Sequence, residues 1–190
     1  MTQLTPNRQF PGMDDSSIEI FISDKETKFI QHGKVLPFSE ISFATIKILD
    51  EAIKADTDVY NELVDMHPVS NLKRIEQFAR CRFGGLDFVG DIVDGKLQDG
   101  EFHECPKRGS CKSEGILCKP PSYNGEELTD QDVQFVQLLS TAKPNRVIAD
   151  EMNLPMGSFH KKHKILYEKL KIQTKQEATR IGYLLNLIRL

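Results

Sequence analysis

The stretch "CKPPSYNGEE", Cys118–Glu127, limits what this chain can fold into more than any other feature. Consecutive prolines, a serine, an Asn-Gly pair and two glutamates interrupt every periodic pattern there. The 190 residues are thereby divided into a first domain over 1–119, a linker over 120–127 and a second domain over 128–190. Pieces of this size each bury only a small core. With 39% hydrophobic and 28% charged residues, the composition is that of an ordinary packed protein, so both pieces are expected to fold.

Upstream, "SIEIFIS" alternates apolar and polar residues, and "KFIQHGKVLPF" supplies a second extended stretch, which predicts a hairpin. "SEISFATIKILDEAIKA" then places Ile41, Ala44, Ile48, Ala52 and Ala55 near a helical period, with Ser39 as the cap. "SNLKRIEQFARCRF" repeats the form, with Leu72, Ile75, Phe78 and Ala79 on one stripe and Gly84-Gly85 after it. "LDFVGDIVDGKLQDGEF" returns to short alternations broken by Asp-Gly pairs, a second hairpin signal. The first domain therefore reads as α+β. Asp87, Asp91, Asp94 and Asp99 fall in this last stretch, and their glycine neighbours mark them as turn residues rather than as catalytic carboxylates.

All four cysteines lie in the first domain: Cys81, Cys105, Cys111 and Cys118, separated by 23, 5 and 6 residues. The last three sit in "HECPKRGSCKSEGILCKP", too polar to build its own core. Four thiolates can close a tetrahedral zinc site that fastens such a loop, and in a reducing compartment that is favoured over disulfides. His103 can replace Cys81 in the ligand set, and an iron-sulfur cluster is the alternative occupant.

Charge is unevenly spread. Residues 1–121 hold 15 Lys+Arg against 20 Asp+Glu, whereas residues 122–190 hold 10 against 8. Between His160 and Lys175 stand six lysines and one glutamate, a local field able to attract a polyanion. The second domain reads as four helices. "LTDQDVQFVQLLSTA" starts at the N-cap Thr129, with Asp132 three residues on and Val133, Phe135, Val136, Leu138 and Leu139 for burial. "PNRVIADEMNL" opens on Pro144 and turns Val147, Ile148, Ala149 and Met152 inward. After Pro155, "MGSFHKKHKILYEKLKI" carries Phe159, His163, Leu166 and Leu170 on one face and His160, Lys161, Lys164 and Lys171 off it. His163 belongs with the core face rather than with the ligands. "KQEATRIGYLLNLIRL" closes the set with Ala178, Ile181, Leu185 and Ile188 on one side.

A short helix, a tight turn around Asn153 and Pro155, and a helix with one cationic face form the order of a helix-turn-helix. From Leu128 to Ala178, 51 of the 190 residues, the chain resembles the LuxR-type (GerE-type) four-helix DNA-binding domain. Leu128-Thr129, Leu138-Leu139, Ile148-Ala149 and Lys169-Leu170 match that family's order, and Ser158-Phe159 sit where it has Thr-Val. The resemblance implies that Asn145 and Arg146 lie near backbone phosphates. It also implies that His160, Lys161 and Lys164 face base edges, and that Lys162 stands where the family often has histidine. The DNA-contacting set it implies is thus Asn145, Arg146, Ser158, His160, Lys161, Lys162, Lys164 and Lys169. Pro144 and Pro155 replace the usual capping serines, and Gln131 and Asp132 replace an Arg-Glu pair.

The expected function is a DNA-binding transcriptional regulator whose first domain senses or docks. The alternative is an adaptor of a larger assembly that keeps the helix-turn-helix for protein contacts or nonspecific tethering. A sigma-factor-like module that meets RNA polymerase is a third reading. A homodimer through Ile181, Leu184, Leu185 and Ile188 is expected, with Leu184 and Leu187 lying partly off the apolar stripe. No phosphate-binding glycine loop, G-x-S-x-G or H-E-x-x-H is present, so enzyme activity is not expected. The segment "MTQLTPNRQFPGMDD" lacks secretory-signal order and no apolar run reaches the span of about eighteen residues that a membrane helix needs, so a cytoplasmic location is expected.

Overall fold

Four two-residue turns with left-handed backbone at both positions build the hairpins of this chain: Asp24-Lys25 (φ 56 and 68°), His32-Gly33 (52 and 73°), Asp94-Gly95 (51 and 72°) and Asn124-Gly125 (52 and 81°). This is the turn whose twist matches that of paired strands, and three of the four place glycine second, where a positive φ is least costly. Lys25 is the exception. Its carbonyl accepts a hydrogen bond from Arg80 Nη1 at 2.8 Å, which helps hold the strained turn. The computed structural model describes residues 9–188. They form two units, Met1–Lys119 and Pro120–Leu190.

The first unit begins with an antiparallel meander of β1 (Glu19–Ser23), β2 (Glu26–Gln31) and β3 (Lys34–Pro37). The extended stretch after Lys28 is therefore two strands, because His32-Gly33 folds it back. Phe29 stands opposite both Ile20 and Leu36, so these three apolar side chains, one from each strand, share one face. A 3-10 turn, Phe38–Glu40, leads into α1 (Phe43–Ala55), followed by α2 (Thr57–Met66) and α3 (Asn71–Arg82). The three helices pack on one another, and α3 also lies on β1 and β2. Ile20, Phe29, Leu49, Ile53, Leu63, Ile75, Phe78 and Phe83 are the centre of a single core. A short hairpin, β4 (Ile92–Val93) and β5 (Lys96–Leu97), is tied to the start of the meander by backbone bonds between Ile18 and Ile92.

Three sequence expectations change here. The cap of α1 is Ser42, whose Oγ accepts the Thr45 N–H at 3.1 Å, not Ser39, which lies in the 3-10 turn. With the helix starting three residues later, its buried stripe is Thr45, Leu49 and Ile53, and Ala44 and Ala55 are exposed. Asp56 both ends α1 and caps α2 through the Val59 N–H, so α2 is a separate helix with Val59 and Leu63 buried. Leu72 sits in the first turn of α3 and is exposed, while Ile75, Phe78 and Ala79 face inward.

The second unit opens with a hairpin, β6 (Ser122–Tyr123) and β7 (Glu126–Glu127), where the sequence predicted a linker. Then come α4 (Asp130–Leu139), α5 (Asn145–Glu151), α6 (Met156–Leu170) and α7 (Lys175–Leu184). Thr129 and Asp132 form a reciprocal capping box on α4, and Thr174 and Glu177 do the same for α7. Three of the helices stop in the same way. Asn153, Lys171 and Asn186 turn left-handed, and the next residue's N–H returns to a carbonyl five positions back: Leu154 to Ala149, Ile172 to Tyr167 and Leu187 to Gly182. No helix among the described residues is long and apolar enough to cross a membrane.

The revised stripe of α1 is testable by urea unfolding. Leu49→Ala should cost about 2–5 kcal/mol through the cavity it leaves, whereas Ala44→Ser, on the face the sequence pattern favoured, should change stability by less than about 0.5 kcal/mol.

Candidate functional site

The rotation of α6 follows from its aromatic residues. Phe159 is fully buried with its ring 5.1 Å from that of Phe135 on α4, and Leu166 and Leu170 continue the buried line. His163 fills the gap between them, 5.8 Å from Phe159 and 3.9 Å from Tyr167 by ring centroid. Burial, then the nearby His160 and Lys175 charges, hold the His163 imidazole below the ordinary histidine value. It is a packed side chain of the core face.

With that face committed, Ser158, His160, Lys161 and Lys164 point to solvent. Lys164 pairs with Glu168 one turn on, both exposed, at 3.8 Å. Two other lysines of the same helix are used inside the unit. Lys169 Nζ lies 2.9 Å from Asp132 Oδ2, both side chains largely covered, and Lys162 donates to Gln131 Oε1. Burial raises the Asp132 carboxyl, but the Lys169 and Thr129 hydrogen bonds more than offset it and leave it below its usual value. Gln131 and Asp132 are thus the partners of Lys162 and Lys169. Lys175 is also held, donating to the Lys143 carbonyl at 3.1 Å.

The turn between α5 and α6 is compact. The N–H groups of Asn153 and Leu154 close onto Asp150 and Ala149, so α6 starts at Met156 immediately after Pro155. Neither Pro144 nor Pro155 supplies a side-chain cap, so the first turns of both helices lack one. Asn145 begins α5 half-buried and Arg146 beside it is exposed. Val147, expected inward, is exposed, while Ile148 and Ala149 are fully buried.

At the carboxy end, the apolar stripe is largely consumed internally. Ile181 is buried, and Leu187 is buried too because the chain turns back at Asn186, where Gln137 Nε2 donates to the Leu187 carbonyl at 3.0 Å. The space a side chain at Gly182 would need is filled by Ile188. Ile188 and Leu185 are half-buried, so of the four residues expected at a dimer contact only Leu184, 60% exposed, is fully presented.

In the first unit, the four cysteines are all reduced and half-buried. Cys81 is on the last turn of α3, and the others are carried by tight turns: the Cys105, Cys111 and Cys118 carbonyls accept from Arg108, Glu114 and Gly115. The loop is fastened by Arg82, which donates to the Leu117 and Ile116 carbonyls at 2.8 and 3.2 Å, and by Leu117, which enters the core. Arg108 lies over Phe102 and pairs with Glu114 at 3.3 Å. Burial raises the Cys81 thiol, the Gln77 hydrogen bond opposes it, and the charges of Cys118, Cys105 and Cys111 add to it.

A second titratable group was not foreseen as a cluster. Glu19, Asp87 and Glu101 bring carboxylate oxygens within 4.8 Å of one another, a spacing that no set of cysteines reaches among the described residues. Asp94 is the turn residue its sequence predicts, but Asp87 and Asp91 turn toward the buried Glu19 instead. Burial, with the repulsion of neighbouring carboxylates, raises Glu19 to about 8 and Glu101 to about 10, and drives Asp91 upward as well. The one sequence signal was Glu19 itself, an acid inside the apolar run of β1.

The chain matches no protein-family model, no curated protein and no solved structure.

The position of His163 carries a pH prediction. Because the folded state disfavours its charged form, the unfolded state binds the proton first, and stability falls as pH drops through the ordinary value of 6.5 toward the lower folded one. An NMR titration of the full chain should show His163 titrating below 6.5, and His163→Phe should flatten that part of the stability profile. Titration at or above the ordinary value refutes the packing argument.

Proposed function

We propose that this protein is a DNA-binding transcriptional regulator in which the second unit is a helix-turn-helix of the LuxR type and the first unit senses or docks. The observation that carries the reading is the division of α6. Phe159, Leu166 and Leu170 are buried on one face, while Ser158, His160, Lys161 and Lys164 are exposed on another, directly after the tight turn from α5. A helix offered this way can enter a major groove while Arg146 and the exposed first turns of α5 and α6 meet phosphates. Lys162 and Lys169 have a different part: they brace α6 against α4 through Gln131 and Asp132. Leu184, beside the exposed Tyr183, is the contact left for a second copy.

The four thiols support zinc as the cofactor of the first unit, with an iron-sulfur cluster as the other occupant of a four-sulfur set. Three of them fall in one turn-rich loop and Cys81 ends the helix before it, with no disulfide, and this supports the reading. A cation there would relieve the mutual repulsion of the thiolates and hold the loop to α3.

An adaptor that tethers nonspecifically to DNA is the second reading, favoured by the absence of side-chain caps on α5 and α6.

A salt series of DNA binding separates these readings. Each phosphate contact should contribute about 0.9 to the slope of log affinity against log salt, so Lys161→Ala and Lys164→Ala should each reduce it by about one contact. Lys169→Ala should instead lower stability. Selection from a random DNA pool should yield a motif that His160→Ala changes; uniform recovery supports the tether, and no binding at low salt overturns DNA binding altogether. Metal analysis of protein purified without added metal should find zinc, and Cys105→Ser or Cys111→Ser should lose both metal and stability. A folded variant with unchanged metal content would refute the cage.

A further inference from the structure

The carboxylates of the first unit come from three separate places. Glu19 lies on β1, Asp87 follows α3, and Glu101 precedes the cysteine loop, separated from Glu19 in sequence by the whole helical part of the unit. They converge because their backbone partners do: Glu19 Oε1 accepts the Asp87 N–H at 2.7 Å, and Glu101 Oε1 accepts the Gly85 N–H. Asp91 stands beside them, with Oδ2 accepting the Ile20 N–H at 2.6 Å.

Glu19 is the decisive member. Its residue is 0% exposed, and its second oxygen, Oε2, is buried with no hydrogen-bond partner. A buried carboxylate oxygen without a donor is costly. A proton on Oε2 would still need an acceptor, and none is in place. Glu101 also shares a side-chain hydrogen bond with Asp87, and the charges that raise Glu19, Asp91 and Glu101 are those of neighbouring carboxylates.

We propose that Glu19, Asp87 and Glu101 bind a hard divalent cation, with Glu19 Oε2 as a direct ligand and Asp91 as a flanking carboxylate. An all-oxygen, all-carboxylate donor set selects calcium or manganese over the thiol-seeking metals, and leaves the cysteines to zinc. Magnesium, which keeps several of its waters, suits a buried three-carboxylate group less well. The bound ion would cross-link β1 to the segment that carries Cys105, and so tie the loop to the meander. This inference does not depend on DNA binding or on the cysteine cage.

Manganese binding by the full-length chain, followed by electron paramagnetic resonance, tests it directly, with calcium as competitor. One manganese per chain, displaced by calcium, is expected. Glu19→Gln and Glu101→Gln, which keep shape and change charge, should each weaken it about tenfold or more, and Asp99→Asn should not. Asp87→Asn serves as a third probe should either glutamine variant unfold by circular dichroism. No manganese or calcium binding up to about 1 mM overturns the proposal, as does wild-type affinity in any folded variant of the three ligands.

Discussion

Phe159 against Phe135 sets the rotation of α6, and what the second unit can present to any partner depends on that contact. Once this ring is buried, Leu166 and Leu170 must follow it at helical spacing, and His163 is drawn into the same seam. The remaining residues divide by angle alone. Those adjacent to the seam, Lys162 and Lys169, come within reach of α4 and pair with Gln131 and Asp132. Those opposite it, Lys161 and Lys164, are exposed, and among the described residues Lys164 pairs only with the exposed Glu168. A lysine-rich helix therefore does two jobs, bracing on its flanks and presenting charge on its outer face.

The first unit meets a different constraint. The single core built from the meander and three helices takes in few residues after Gly84, Ile92 and Leu117 among them, so polar anchors supplement packing there. Arg82 holds two carbonyls of the cysteine loop, Arg108 covers Phe102, and Ser113 Oγ donates to Glu62 at 2.6 Å. Buried carboxylates are the unusual anchors among these. Their backbone hydrogen bonds fix the segment from Gly85 to Glu101 on the edge of β1, and the gathering of carboxyl groups there is what makes that corner a candidate for an ion. Neutral cross-links would have held the same loop without it.

Legibility in the sequence followed the range of the interaction concerned. Capping by Thr129 and the Asp94-Gly95 turn are made by residues close together in the chain, and they act where local chemistry places them. The stripe of α1 was displaced because Ser39 and Ser42 both qualify as caps, and only the 3-10 turn at Phe38 decides between them. α2 was hidden because Asp56 ends one helix and starts the next, so no glycine or proline marks the junction. At the carboxy end, periodicity alone extended α7 through Ile188, whereas Asn186 turns left-handed and folds Leu187 into the core.

The sequence by itself determined that the chain divides near Pro120, that four cysteines fall in one domain, and that cations concentrate on one helix after a short turn. Composition and spacing carry such information because they need no knowledge of what lies across the fold. Tertiary structure alone decided which lysines of α6 are free and which are paired, and that Glu19, Asp87 and Glu101 meet. Both depend on groups distant in the chain: a lysine's availability is set by the helix packed beside it, and a carboxylate's chemistry by burial and by the charges folding brings next to it.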